Sequence, residues 1–182
     1  MAPKMFNELA IGETPTTDPK TIVGRQVQVS MTELGGNPQK FYMKMKFRIT
    51  EIAGRNAKTE FNGFELLREH LMRVVRKRTQ KIETILTITS KDKWKLQITS
   101  LLVLNRRTDA TIKHVIRKLV TDTLTETITK STTEEFIKKV VDGSFQKNLR
   151  KEGSKLYPIR FCEIAKIEVL KTPAAKPIAA TV

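Results

Sequence analysis

Residues 82–120 read IETILTITSKDKWKLQITSLLVLNRRTDATIKHVIRKLV, and this stretch decides the fold. Its first two parts, IETILTITS and KWKLQITSLLVLN, are rich in β-branched and apolar residues and read as strands. The link between them, SKDK at 90–93, is short enough for a hairpin. Then the period changes. Ile112, Val115, Ile116, Leu119 and Val120 recur at helical spacing and predict an apolar stripe. Thr108 or Asp109 can supply the N-cap, since either side chain accepts from the unpaired first-turn N–H groups. A hairpin that runs into a helix is the mark of an α+β chain.

Between strand and helix stand Arg106 and Arg107. A helix start carries partial positive charge and favours anions, so two arginines there gain nothing locally. With Lys113, Arg117 and Lys118, and His114 beside them, they make the first half of the helix basic. From Thr121 to Thr129 there are only Asp122 and Glu126. A helix N-terminus with two guanidinium forks beside it suits a phosphate.

Other elements follow the same logic. Val23, Arg25, Val27, Val29 and Met31 alternate as a strand, and GGNP at 35–38 is turn chemistry. In KFYMKMKFRIT, Phe41, Met43, Met45, Phe47 and Ile49 fall on one face. Lys40, Lys44, Lys46 and Arg48 fall on the other with Tyr42. Such a basic row is either a backbone-binding face or lysine protection of a sheet edge. AGRNAKTEFNG (53–63) reads as a turn and a short strand, and residues 64–79 as a helix, from Phe64, Leu67, Leu71, Val74 and Val75. Arg73, Arg76, Lys77, Arg78 and Lys81 crowd its end. One or two cations complement a helix C-terminus, whereas five repel one another and ask for an external anion. TEEFIKKVVDG and SFQKNLRKEG predict two shorter helices, each punctuated by Gly, and IRFCEIAKIEVL predicts a last strand. The sum is a mostly antiparallel six-stranded sheet or barrel-like core with three to four packed helices.

The length of 182 residues fits an extended lead-in (1–20), one α+β domain (21–170) and a mobile Pro/Ala tail (171–182). The net charge of +15 suits a polyanion, and because the basic residues are spread along the whole chain, nucleic acid fits better than a membrane surface. No apolar run is long enough to span a bilayer, and the N-terminus does not read as a secretory signal. Cys162 is the single cysteine and reads as a small buried hydrophobe. His70 and His114 lie in different predicted helices and read as helix-face residues, so a Cys-rich zinc site is excluded within one chain. Trp94 fits strand packing better than base stacking. Glu134 and Glu135 stand at a helix start, where acids are favoured. No nucleotide-loop, zinc-protease or serine-hydrolase motif is present, and no catalytic residue, cofactor or metal is implied. Dispersed carboxylates leave a nucleic-acid-processing enzyme as a rival class, beside a free RNA- or DNA-binding protein.

Four segments taken together carry a resemblance: APKMFNELAIGETPTTDPKTIVGRQVQVSMTEL, FNGFELLREHLMRVVRKRTQKIET, NRRTDATIKHVIRKLV and GSKLYPIRFCEIAKIEVLK. In this order they resemble the S-three-A-e (eS-one) family of small-subunit ribosomal proteins, in its archaeal form. The resemblance implies a β-barrel core with packed helices and a structural, non-catalytic role in the cytoplasmic ribosome. It also implies contact with small-subunit rRNA on the platform, near the messenger exit and the 3′ end of that RNA, beside neighbouring platform proteins and messenger. It supports Arg106, Arg107, Arg117 and Lys118 as RNA-facing, through the shared arginine-then-IRK pattern. Family members usually open with a lysine-rich arm bearing Trp and Tyr. This sequence begins at MAPKMF, so contacts of such an arm are not carried over.

Overall fold

Alternation in MKMKFRITEIA produces the strand β2 (Met43–Ala53), whose Met43, Met45, Phe47 and Ile49 are buried. The computed structural model describes residues 1–54 and 56–172. These form two compact units that divide between Leu71 and Met72.

In the first unit β1 (Gln26–Ser30) pairs antiparallel with β2, and β2 with β3 (Asn56–Leu66). The core is Val29, Met43, Met45, Phe47, Ile49, Phe61, Phe64 and Leu66. Phe6 meets Phe47 edge-on, with ring centroids 5.5 Å apart. The first residues are tied down more than their prolines suggest. The Met1 ammonium donates to the Ala57 carbonyl at 2.9 Å, and the Thr59 hydroxyl to the Met1 carbonyl at 2.7 Å.

The helix expected over 64–79 is shorter, and the strand before it longer. β3 runs to Leu66, and α1 covers only Arg68–Val74. β3 also carries a bulge. Lys46 pairs with Gly63 but Phe47 with Phe61, so β3 carries one extra residue there. The bulge changes the phase of the pleat, and Phe61, Phe64 and Leu66 all face inward. The helical reading began at Phe64, which belongs to this strand, and its three-residue step to Leu67 imitates a helical period.

In the second unit β5 (Lys95–Leu104) pairs antiparallel with β4 (Gln80–Thr89) on one side and β6 (Ile159–Lys171) on the other. Leu101, Leu102, Val103 and Leu104 are all buried, so this end of β5 is covered on both faces. The hairpin closes as expected: Lys93 N–H donates to the Ser90 carbonyl at 3.0 Å, and Lys93 takes φ +62°. That is the three-residue loop with a left-handed last residue.

Three helices follow β5: α2 (Ala110–Lys130), α3 (Thr133–Asp142) and α4 (Ser144–Ser154). α2 packs on β4 and α4 on β6. The α2 stripe is narrower than expected. Ile116, Val120, Leu124 and Ile128 are buried, four residues apart, while Val115 remains 44% exposed. One i±4 ridge docks, and each fully buried apolar side chain in it contributes about 1.5–3 kcal/mol. α3 opens with a capping box between Thr132 and Glu135, which uses one of the two acids noted in the sequence. It ends at Gly143, whose φ of +82° is a left-handed cap that Gly adopts without strain. Gly153 does not stop α4. It sits in the last turn, where a Cβ would run into Ile159 Cδ1, so it lets the helix lie close on β6.

The α+β reading stands, with six antiparallel strands and four α-helices among the described residues. Among those residues β1 pairs with β2 alone and β4 with β5 alone, so neither three-stranded set closes on itself as a barrel. The Pro/Ala tail lies, from residue 173 on, outside the described residues. Cys162 is buried as expected, and burial pushes its thiol up to about 12.

Candidate nucleic-acid interface

Strand register decides which basic residues share a place. Gln80 of β4 pairs with Leu104 of β5, and Leu104 with Ile159 of β6. The start of β4, the end of β5 and the start of β6 therefore lie side by side at one end of the second unit's sheet. Arg76, Lys77 and Arg78 come just before Gln80, Arg106 and Arg107 just after Leu104, and Arg160 just after Ile159. All six are exposed. Two clusters about 30 residues apart in sequence meet because the hairpin folds back on itself.

The first cluster is held by a built turn. The Thr79 hydroxyl donates to the Arg76 carbonyl at 2.6 Å, and the Thr79 amide to the same oxygen at 3.3 Å. The Arg76 amide donates back to the Thr79 hydroxyl at 3.3 Å. Within this ring Arg78 takes φ +67°, a left-handed conformation that costs a non-glycine residue about 1 kcal/mol. Arg73 is exposed in the last turn of α1, as expected for a cation there. Lys81, in β4, is engaged by Glu83 at 3.0 Å, so its charge is partly answered within the chain.

The second cluster stands before α2. Asp109 occupies the N-cap position, but its side chain makes no cap hydrogen bond, and neither does that of Thr108. The Thr108 hydroxyl is buried without a partner. Thus the side-chain cap expected from the sequence does not form, and the first-turn N–H groups have no side-chain acceptor. Arg106, Arg107, Arg117, Lys118 and His114 are exposed, and Lys113 is half-buried. α2 has 21 residues, roughly 31 Å, and β5 has 10, about 34 Å. The helix thus spans the length of the strand. Its basic half starts at the arginine end, and its far end leads to Thr133, which bonds Asp92 in the hairpin loop.

A third cluster lies outside the residues singled out from the sequence. Lys147, Arg150, Lys151 and Ser154 line an open groove on α4. They recur at i, i+3, i+4 and i+7, a spacing that places them on one face and was legible in the sequence. Arg150 Nε donates to the Ile159 carbonyl at 3.2 Å, which ties this groove to the same end of the sheet.

The lysine row of β2 behaves differently. Lys44 pairs in register with Glu65, and Lys46 is ion-paired to the Glu65 carboxylate. Arg48 pairs with Glu60, whose carboxyl is raised by burial and lowered in part by Arg48 itself. Lys46 is a sheet-internal charge, and the row is largely answered by β3. It belongs to the first unit.

Among the described residues no group of three or more His, Cys, Asp or Glu side chains is arranged to hold a metal. No described helix is long and apolar enough to cross a membrane. Trp94 is half-buried just ahead of β5, where its carbonyl accepts from the Ser90 amide at 2.8 Å.

Residues 1–173 match the model of the ribosomal S3Ae family. The chain is 37% identical over 176 residues to the small ribosomal subunit protein eS1 of Archaeoglobus fulgidus, covering 96% of this chain and 83% of that protein. The Methanothermobacter thermautotrophicus protein of the same name is 32% identical, with 95% of this chain and 89% of that protein covered. The Sulfurisphaera tokodaii one is 31% identical, with 96% and 90% covered. With a family match along nearly its whole length and archaeal relatives aligned over most of theirs, the chain belongs to the ribosomal S3Ae family.

Proposed function

We propose that this chain is a structural component of the small ribosomal subunit and binds rRNA through the basic end of its second unit. The observation that carries the reading is the register Gln80–Leu104–Ile159, which gathers Arg76, Lys77 and Arg78 with Arg106, Arg107 and Arg160. Like charges held together repel one another, and phosphate neutralises them with release of counterions. The α4 groove of Lys147, Arg150 and Lys151 extends the surface, and Lys113, Arg117 and Lys118 border it along α2. Arg73 and Lys81 flank it. Lys44 and Arg48 give a weaker, separate contact, and Lys46 stays with Glu65.

The mechanism is positional. Guanidinium forks and the α2 start engage phosphates, and the shape of the folded RNA sets the address. The resemblance to family members supports a place on the platform, near the messenger exit and the 3′ end of the small-subunit RNA, among platform proteins in the cytoplasmic ribosome. The names of the relatives support the small subunit. The role needs no cofactor and no catalytic residue.

The test is sedimentation of a cell extract on a density gradient at low magnesium. Co-migration with small subunits that survives a moderate salt wash is expected. A wholly soluble pool would mean a free nucleic-acid binder, and metal-dependent cleavage of RNA by the pure protein would mean an enzyme.

A further inference from the structure

Phe41, which the alternation placed with the buried residues of β2, lies before the strand starts at Met43 and is the one phenylalanine exposed among the described residues, with 59% of its surface open. A single exposed apolar residue is ordinary on a soluble protein, so exposure alone carries nothing. The surroundings of Phe41 are what distinguish it. Its backbone is fixed on both sides. Asn37 Oδ1 accepts from the Gln39 amide at 3.0 Å, and the Asn37 carbonyl from the Lys40 amide at 2.9 Å. On the other side the Tyr42 carbonyl accepts from the Leu67 amide at 2.8 Å. The ring itself is steadied edge-on by Tyr42, at a centroid distance of 6.0 Å and an interplanar angle of 85°. Tyr42 in turn lies flat on His70, 3.8 Å away and inclined by 4°. Phe41 is therefore an aromatic surface already ordered before it meets anything.

The charge beside it is mixed but mainly basic. Lys40 precedes it, Lys44 follows at the start of β2, and exposed Arg68 opens α1, followed by one acid, Glu69, before His70. The acid nearest in register to Lys44 is Glu65, whose carboxylate is taken by Lys46. Among the described residues of the first unit, Met1 and Leu9 are the other exposed large apolar side chains, both less open than Phe41, too little apolar surface for a hydrophobic protein interface. An ordered, exposed aromatic ring with basic residues close by in chain and register matches the way single-stranded nucleic acid is held, a ring taking a base and cations its phosphates.

We propose that Phe41 is a stacking platform for one unpaired RNA base, with Lys44 and Arg68 serving the flanking phosphates. The inference rests on the reading of the chain as an RNA binder, but the site lies in the first unit and differs from the arginine end.

The experiment uses the full chain and three probes: an eight-nucleotide oligoadenylate, an abasic strand with the same number of phosphates, and a base-paired hairpin of mixed sequence. The parent protein should bind oligoadenylate about tenfold more tightly than the abasic strand, as one stacked base provides. Phe41→Ala and Phe41→Leu should abolish that preference and leave abasic and hairpin binding unchanged, while Phe41→Trp retains it. Retention of the preference in Phe41→Ala overturns the proposal, and so does equal weakening of all three probes. If Phe41→Ala leaves the preference intact yet loosens the protein from the subunit, the ring meets protein, and the stacking site is again overturned. Failure of the parent protein to bind any probe with salt dependence would instead sink the broader RNA-binding reading.

Discussion

Asp92 Oδ2 lies 3.0 Å from the Thr133 amide nitrogen and accepts its hydrogen bond, so the β4–β5 loop clasps the first turn of α3. The Ser90 and Thr133 hydroxyls meet beside it at 2.9 Å, both residues buried. A carboxylate at a helix start gains from the hydrogen bond and from the partial charge of the first turn. Asp92→Ala should lower the unfolding free energy by about 1 kcal/mol, with Asp92→Asn losing only part of that. Urea titration of the three proteins measures it, and equal stability of all three would show the clasp to be idle.

Arg78 sits at φ +67° in a turn whose hydrogen bonds run between Arg76 and Thr79. Arg78→Gly should relieve strain and stabilise the fold by up to about 1 kcal/mol, while weakening RNA binding. Stability and affinity moving together would contradict a turn kept for function.

Arg106 and Arg107 are exposed and precede a helix whose side-chain cap is not formed. Replacing both with Ala should leave the denaturation midpoint unchanged. The slope of log affinity against log salt should fall by about 0.7–0.9 for each phosphate that is no longer neutralised. An unchanged slope with intact binding would remove these arginines from the interface.

The buried Cys162 thiol is raised from 9.0 to about 12, first by burial and then by Glu163, with Arg150 acting the other way. The native state therefore holds this proton to higher pH than the unfolded chain does. Its stabilising share is full below pH 9.0 and is lost as pH rises towards 12. By about pH 10 the loss is about 1 kcal/mol. Cys162→Ala should flatten this part of the stability profile, measured by denaturant midpoints across the alkaline range.

Patterned segments were legible in the sequence because one side of each meets the core. Met43, Met45 and Phe47 gave β2 its phase, and the hairpin from 82 to 104 was readable from its strands and its short link. The α1 boundary was not, because Phe64, inward in β3, and Leu67, just past the strand, stand three residues apart and continue the spacing of α1. Each basic cluster was visible by composition, but its neighbourhood was not. That Arg78 and Arg107 share an end depends on the pairing of Gln80 with Leu104, which local spacing does not contain. The β2 lysines were legible as a row, whereas their neutralisation required Glu60 and Glu65 from the next strand.

The course of α2 along β4 has a kinetic meaning. The arginine end holds Arg76, Arg78, Arg106, Arg107 and Arg160, while the opposite end mixes Lys91 and Lys93 with Asp92, Glu134 and Glu135. Charge so divided along roughly 30 Å makes an electric lever arm. In the field of a polyanion it feels a torque as well as a pull, within about a Debye length of the surface. In the proposed rRNA-binding role, the second unit would meet the RNA with its arginine end first, and fewer of its encounters would be wasted on the wrong face.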